Sequence, residues 1–175
     1  MPIPKYAKLE NERRFWVAAP PDLSGAPVRL IEDLYLREGR LRLRAITHFD
    51  GQPAQYKFCK KYGSDDPASE PIVNIYLTAE EHAMLAVLPG WRVRKRRYTI
   101  QHGDHPFSVD VFEGALEGLV TCETEAGSPE AIRRLAFPPW AVREVTADPF
   151  FAGAHLARLG AAELHARLLA MSART

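Results

Sequence analysis

Cysteine is scarce in this chain: Cys59 and Cys122 are the only 2 in 175 residues, and they stand at no metal-ligand spacing. A disulfide framework is not expected; two buried or half-buried thiols in a reducing compartment are. Long apolar runs are missing as well. No stretch approaches the roughly 20 apolar residues of a membrane-spanning helix. The start, Met1-Pro2-Ile3-Pro4-Lys5, lacks the apolar run of a signal peptide, so a cytoplasmic protein is expected. Neither sign of charge dominates: the net charge is +1, which argues against a global nucleic-acid-binding field. There is no Walker-type glycine-rich loop, and Ser24-Gly25 and Gly63-Ser64 read as turns rather than nucleophile elbows. His48, His82, His102, His105, His155 and His165 show no HExxH or paired-ligand spacing. The length fits a single domain, 1–175, large enough to bury a core.

What the chain does have is charge in strand-like alternation. The stretches are Glu10-Asn11-Glu12-Arg13-Arg14, Arg40-Leu41-Arg42-Leu43-Arg44, Lys95-Arg96-Arg97, Asp110 within Ser108–Phe112, and Glu123-Thr124-Glu125. Period two is the strand period, so each set points to one face. For any single stretch, an antiparallel sheet with one dry and one wet face explains the pattern. The set as a whole carries more. Glu10 and Glu12 share a face, as do Glu123 and Glu125. Like charges about 4 Å apart repel by roughly 4 kcal/mol at an effective dielectric of about 20, and less at the wider i, i+2 spacing. A divalent cation or neighbouring arginines would relieve that repulsion. Alternation also predicts that Lys95 and Arg97 face inward while Arg94 and Arg96 face outward.

Turn and cap signals organise the rest. Strands are predicted over 9–17, 28–37, 40–48, about 54–61, 72–77, 91–101, 107–113 and 118–126, with Glu38-Gly39 and Asp50-Gly51 at turns. Gly63 to Pro71 reads as a polar loop. Thr78-Ala79-Glu80-Glu81 is a capping box for a helix reaching about Leu88, where Pro89-Gly90 stops it. Ser128-Pro129 reads as the start of a second helix. A short strand over 141–145 is expected to close the sheet. The tail from about 150 is helical, with Gly160 as a break. Many antiparallel strands with short turns favour a barrel or a strongly curved sheet.

With Glu10-x-Glu12-x-Arg14 in the first strand, the chain resembles the CYTH family, the triphosphate tunnel metalloenzymes. Further matches follow in order over roughly residues 9–158: Tyr35-Leu36, Arg42-Leu43-Arg44, Tyr56-Lys57-Phe58, Lys95-Arg96-Arg97-Tyr98, Asp110-Val111-Phe112, Gly118-Leu119 with Glu123-Thr124-Glu125, and Pro139-Trp140 with Glu144-Val145-Thr146. ExExK alone is a weak signal; the ordered set is a strong one. The resemblance implies an α+β fold: an eight-stranded antiparallel closed β-barrel, or tunnel, with helices packed outside. It implies Mg²⁺ or Mn²⁺ and a triphosphate-bearing small molecule or inorganic polyphosphate, with no nucleic acid and no membrane; a homodimer is left open. Glu10, Glu12 and Arg14 are the implied catalytic residues. Arg42, Arg44, Lys57, Lys95 and Arg97 would bind phosphate, for which arginine offers a planar fork. Glu10, Glu12, Asp110, Glu123 and Glu125 would hold the metal.

Two departures stand out. Arg14 replaces the motif lysine; it cannot act as a base but can pair with phosphate. The acidic pair of the family's Arg-x-Glu-x-Glu element is missing from Glu70 to Tyr76, leaving Asn74 as a polar substitute. The expected activity is metal-dependent hydrolysis of a phosphoanhydride bond in inorganic triphosphate or a small organic triphosphate. The alternatives are a non-catalytic polyphosphate- or nucleotide-binding module and a nucleotidyl cyclase.

Overall fold

Each long strand presents charged or mixed residues on one side and aliphatic or aromatic residues on the other, so the sheet curls until its polar faces meet inside. The computed structural model describes residues 3–173. Its strands are β1 (Lys8–Trp16), β2 (Val28–Leu36), β3 (Leu41–His48), β4 (Gln55–Lys61), β5 (Ser69–Leu77), β6 (Gly90–His102), β7 (His105–Phe112), β8 (Val120–Ala126) and the two-residue β9 (Arg143–Glu144). The helices are α1 (Ala79–Leu85), α2 (Pro129–Arg134), α3 (Gly153–Leu156) and α4 (Ala161–Ser172). Neighbouring strands run in the order β5-β4-β3-β2-β6-β7-β8-β1, and β5 pairs with β1, so eight antiparallel strands close on themselves.

Closure differs from the expectation in one respect. The segment after α2 does not close the barrel. The seam is made by β5, which starts at Ser69 and pairs Ser69–Ile72 with Lys8–Asn11. Pro71 made this stretch read as loop, because proline lacks a ladder donor. At the seam Ser69 Oγ donates to Asn11 Oδ1 at 2.7 Å in a buried pair. Further along β1 the freed edge is taken by β9.

The local signals otherwise hold. Thr78 and Glu81 form the capping box of α1, which ends a turn earlier than predicted. Ser128 Oγ accepts from Ala131 N at the start of α2. Gly160 separates α3 from α4. Glu38 takes a φ of 56° in the β2–β3 turn.

The core is split by the barrel wall. Outside, Phe15, Phe107, Val109 and Cys122 pack under Trp140 and Tyr98. At the end where β1 finishes and β6 begins, Trp16, Val93 and Phe112 meet Phe151, Leu156, Leu159 and Leu164 of the C-terminal segment. That segment fits closely: a Cβ on Gly153 would lie 2.0 Å from Tyr35 Oη, so only glycine permits the approach. Among the described residues no helix is long and apolar enough to cross a membrane.

Candidate functional site

The barrel encloses a cavity of about 610 Å³. Alternation along the strands decides what lines it. Glu10, Glu12 and Arg14 enter from β1, Asp33 and Tyr35 from β2, Arg42 and Arg44 from β3, Cys59 and Lys61 from β4, Lys95 and Arg97 from β6, and Glu123 and Glu125 from β8. The intervening Arg94 and Arg96 point outward, more than half exposed, and pair with Glu113.

The carboxylates fall into two groups. The first is saturated with cations. Asp33 accepts both Nε and Nη2 of Arg44, at 2.6 and 2.7 Å, with Arg42 Nε 3.7 Å away. Burial acts to raise the Asp33 pKa, but Arg44 and Arg42 outweigh it and hold the carboxyl far below its ordinary value. Asp110, fully buried, accepts Arg97 Nε and Nη2 at 2.7 and 2.6 Å and also Lys95 Nζ. Glu123 accepts Arg14 Nε and Arg97 Nη2, each at 2.6 Å. Burial opposes ionisation of Glu123 as well, and again Arg14 and Arg97 prevail, keeping it well below the usual range.

The second group is Glu10, Glu12 and Glu125, whose ligand oxygens lie within 4.8 Å of one another. Cross-strand register brings them together: Glu12 stands opposite Glu125, while Arg14 stands opposite Glu123. Burial, then repulsion from Glu123, pushes Glu12 up to about 7. Burial and the Glu10 charge raise Glu125 too. Lys61 Nζ donates to Glu10 Oε2 at 2.6 Å, and Arg14 Nη2 to Glu12 Oε1 at 2.8 Å, but these do not cancel three acids. A compact cluster of carboxylate oxygens short of positive charge suits a hard divalent cation. The cluster could therefore hold a divalent cation.

The remaining sequence-predicted residues sort plainly. Asp110 and Glu123 lie outside the three-carboxylate cluster, because arginine and lysine already occupy their oxygens. Arg42, Arg44, Lys95 and Arg97 line the cavity, but Lys57 does not. Lys57 has the inward parity of Cys59 and Lys61, yet it lies toward the far end of β4, its Nζ 5.0 Å from the ring centre of the exposed Tyr76. Asn74 is exposed and also outside the cavity. In its place Glu70 lines the cavity, 3.4 Å from Lys61 Nζ. Lys61, Glu70, Asp33 and Tyr35 were not assigned to the site from the sequence, although Tyr35-Leu36 was one of the matched motifs. Parity marked Lys61 as strongly as Lys57, but the depth of a residue in a barrel depends on strand stagger. Arg42 Nε is buried without a hydrogen-bond partner, its nearest carboxylate oxygen being that of Asp33 at 3.7 Å.

A closed antiparallel barrel with a buried basic wall facing a carboxylate cluster defines a class of protein that handles metal ions and polyanions together. Comparison with known proteins makes the class specific. The chain is 33% identical over 146 residues to an inorganic triphosphatase of Nitrosomonas europaea, spanning 79% of this chain and 90% of the relative. A shorter match, 36% identical over 66 residues, joins it to an inorganic triphosphatase of Acetivibrio thermocellus, covering 38% of this chain and 41% of that one. The solved structure of the inorganic triphosphatase NE1496 superposes with a TM-score of 0.57 at 28% identity, over 85% of this chain and 93% of that chain. No family model matches. The chain belongs to the CYTH family of triphosphate tunnel metalloenzymes.

Proposed function

We propose that this protein hydrolyses a phosphoanhydride bond of inorganic triphosphate, or of a small organic triphosphate, with Mg²⁺ or Mn²⁺. The observation that carries the reading is the separation of charge within one cavity. Glu10, Glu12 and Glu125 cluster on β1 and β8, whereas Arg42, Arg44 and Lys95 project from β3 and β6 across the barrel. Bound at the carboxylates, a divalent cation supplies charge neutralisation at phosphate oxygens and lowers the pKa of a water.

The chain's own residues do the rest by positioning and electrostatics, which is most of what phosphoryl transfer requires. Arg42 and Arg44, held by Asp33, turn guanidinium groups toward the cavity, where they would meet phosphate oxygens. Arg97 and Lys95 are fixed in the cavity wall by Asp110, and Arg97 by Glu123 as well, so they keep their positions as ligand binds. Arg14 is a positioning residue: it ties Glu12 to Glu123 and donates from Nη1 to the Phe151 carbonyl at 2.8 Å. It holds its proton throughout. The aromatic rings in the cavity, Tyr35, Phe112 and Phe151, belong to the end closed by the C-terminal segment. Little ring surface remains to stack a nucleobase, which favours an inorganic substrate. Both cysteines are free and buried, in keeping with a reducing, cytoplasmic setting. The test is orthophosphate release from inorganic triphosphate, ATP and thiamine triphosphate with Mg²⁺ or Mn²⁺ between pH 6 and 9. Release is expected to be fastest from inorganic triphosphate. Absence of release from every substrate under every condition would refute the reading.

A further inference from the structure

Away from the end closed by the C-terminal segment, β2 begins and β3 finishes. Register there sets His48 of β3 beside Arg29 of β2, and Arg29 beside Arg97 of β6. Directly paired residues in antiparallel strands hold their Cβ atoms about 5 Å apart. The parity that turns Asp33 and Tyr35 inward also turns Arg29 inward, and Thr99 follows Arg97. Three basic side chains thus form a row from the barrel mouth to the cavity wall.

Only the innermost of the three is neutralised. Arg97 is bound to Asp110 and Glu123. Among the described residues, no carboxylate lies within 4.0 Å of Arg29; its one hydrogen bond runs from Nη2 to Thr99 Oγ1 at 3.4 Å. Burial, and the Arg97 charge next to it, lower the Arg29 pKa. His48 Nε2 is buried with no hydrogen-bond partner. Arg29 is half-buried with no carboxylate in contact, and beside it the buried His48 ring nitrogen lacks a partner, which is unfavourable. An oxyanion would accept from the Arg29 guanidinium and, with the proton on Nε2, from the His48 ring. Arg29, His48 and Thr99 do not line the 610 Å³ cavity. The paired Ile31 and Ile46 separate them from Asp33 and Arg44, so they adjoin the cavity on the β6 side, at Arg97.

We propose that Arg29, His48 and Thr99 form a further phosphate subsite at this mouth of the barrel. Its occupant is a phosphoryl group: either the fourth phosphate of a linear polyphosphate whose other three lie in the cavity, or free orthophosphate. The first source rests on the phosphate-binding role proposed for the cavity; the second does not.

Calorimetry on the full-length, metal-free protein separates the two. Inorganic triphosphate, inorganic tetraphosphate, and orthophosphate added over saturating triphosphate are titrated into wild type and Arg29→Met. Triphosphate affinity is expected to change less than twofold. A tenfold or greater loss confined to tetraphosphate identifies chain extension; a loss confined to orthophosphate identifies a separate anion. Unchanged affinity for both overturns the subsite. If wild type binds orthophosphate but neither polyphosphate, the cavity reading fails and the subsite stands. His48→Gln, which alters the ring donor and leaves Arg29 in place, is the second variant should Arg29→Met not fold. A loss of about threefold is expected from it, and no change on either ligand counts against the proposal.

Discussion

Glu12 and Glu123 are the same residue type, both inside one barrel and both on strands that pair with each other, yet they hold their protons oppositely. Glu123 sits opposite Arg14 and also takes Arg97, so it stays ionised. Glu12 sits opposite Glu125, near Glu10, and burial lifts it to about 7. A carboxylate whose oxygens are filled by guanidinium groups anchors those groups. A carboxylate left with other carboxylates is a place for an added cation. Two residues along the same pair of strands decide which role a glutamate takes.

The contrast can be broken from either side. Removing an anchoring acid has the largest expected effect on the fold. Asp110→Ala leaves Lys95 without its ion-pair partner and Arg97 with Glu123 alone, and breaking a buried pair costs about 3–5 kcal/mol. Urea unfolding measures it; a loss under about 1 kcal/mol would show that Asp110 is not an anchor. Removing a cluster acid acts on activity instead. Glu12→Gln is expected to lower triphosphate hydrolysis at least about 100-fold, since even outer partners of metal ligands cost 10–100-fold, while the unfolding midpoint holds or rises because a strained acid is gone. Unaltered turnover would dissolve the distinction between the groups.

The proton on Glu12 gives a third, smaller effect. Its folded pKa lies above the ordinary 4.5, at about 7. The stability it contributes is complete below about pH 4.5 and is lost as pH rises through 7. A cation must displace this proton below pH 7, so metal affinity is expected to rise by up to about tenfold per pH unit toward 7 and then level off. Mn²⁺ titrations at pH 5.5, 6.5 and 7.5 measure the slope, and a flat profile contradicts the assignment. The smallest effect belongs to Lys57→Ala, expected to leave turnover within about twofold, whereas Lys61→Ala raises the KM for triphosphate. Equal effects would place Lys57 within reach of the substrate after all.

These outcomes also mark how far the sequence could be read. Alternation was enough to send Lys95 and Arg97 inward and Arg94 and Arg96 outward, because parity is local. It was enough for the strands, which announce themselves by period and turn, but their closure into a barrel rather than a curved sheet came from the ordered motifs of the family resemblance. It was not enough to tell Lys57 from Lys61, which share parity and differ only in depth. Nor could it separate Glu123 from Glu125, whose fates hang on partners more than a hundred residues away on β1. Pro71 concealed the closing strand, since ladder pairing tolerates proline only where its missing donor is not needed.

Mn²⁺ binding to wild type, Glu12→Gln and Glu123→Gln tests the central claim most directly. The expected result is one ion per wild-type chain without substrate, lost or weakened at least tenfold in Glu12→Gln and retained by Glu123→Gln. Binding that survives in Glu12→Gln and disappears in Glu123→Gln would contradict the account.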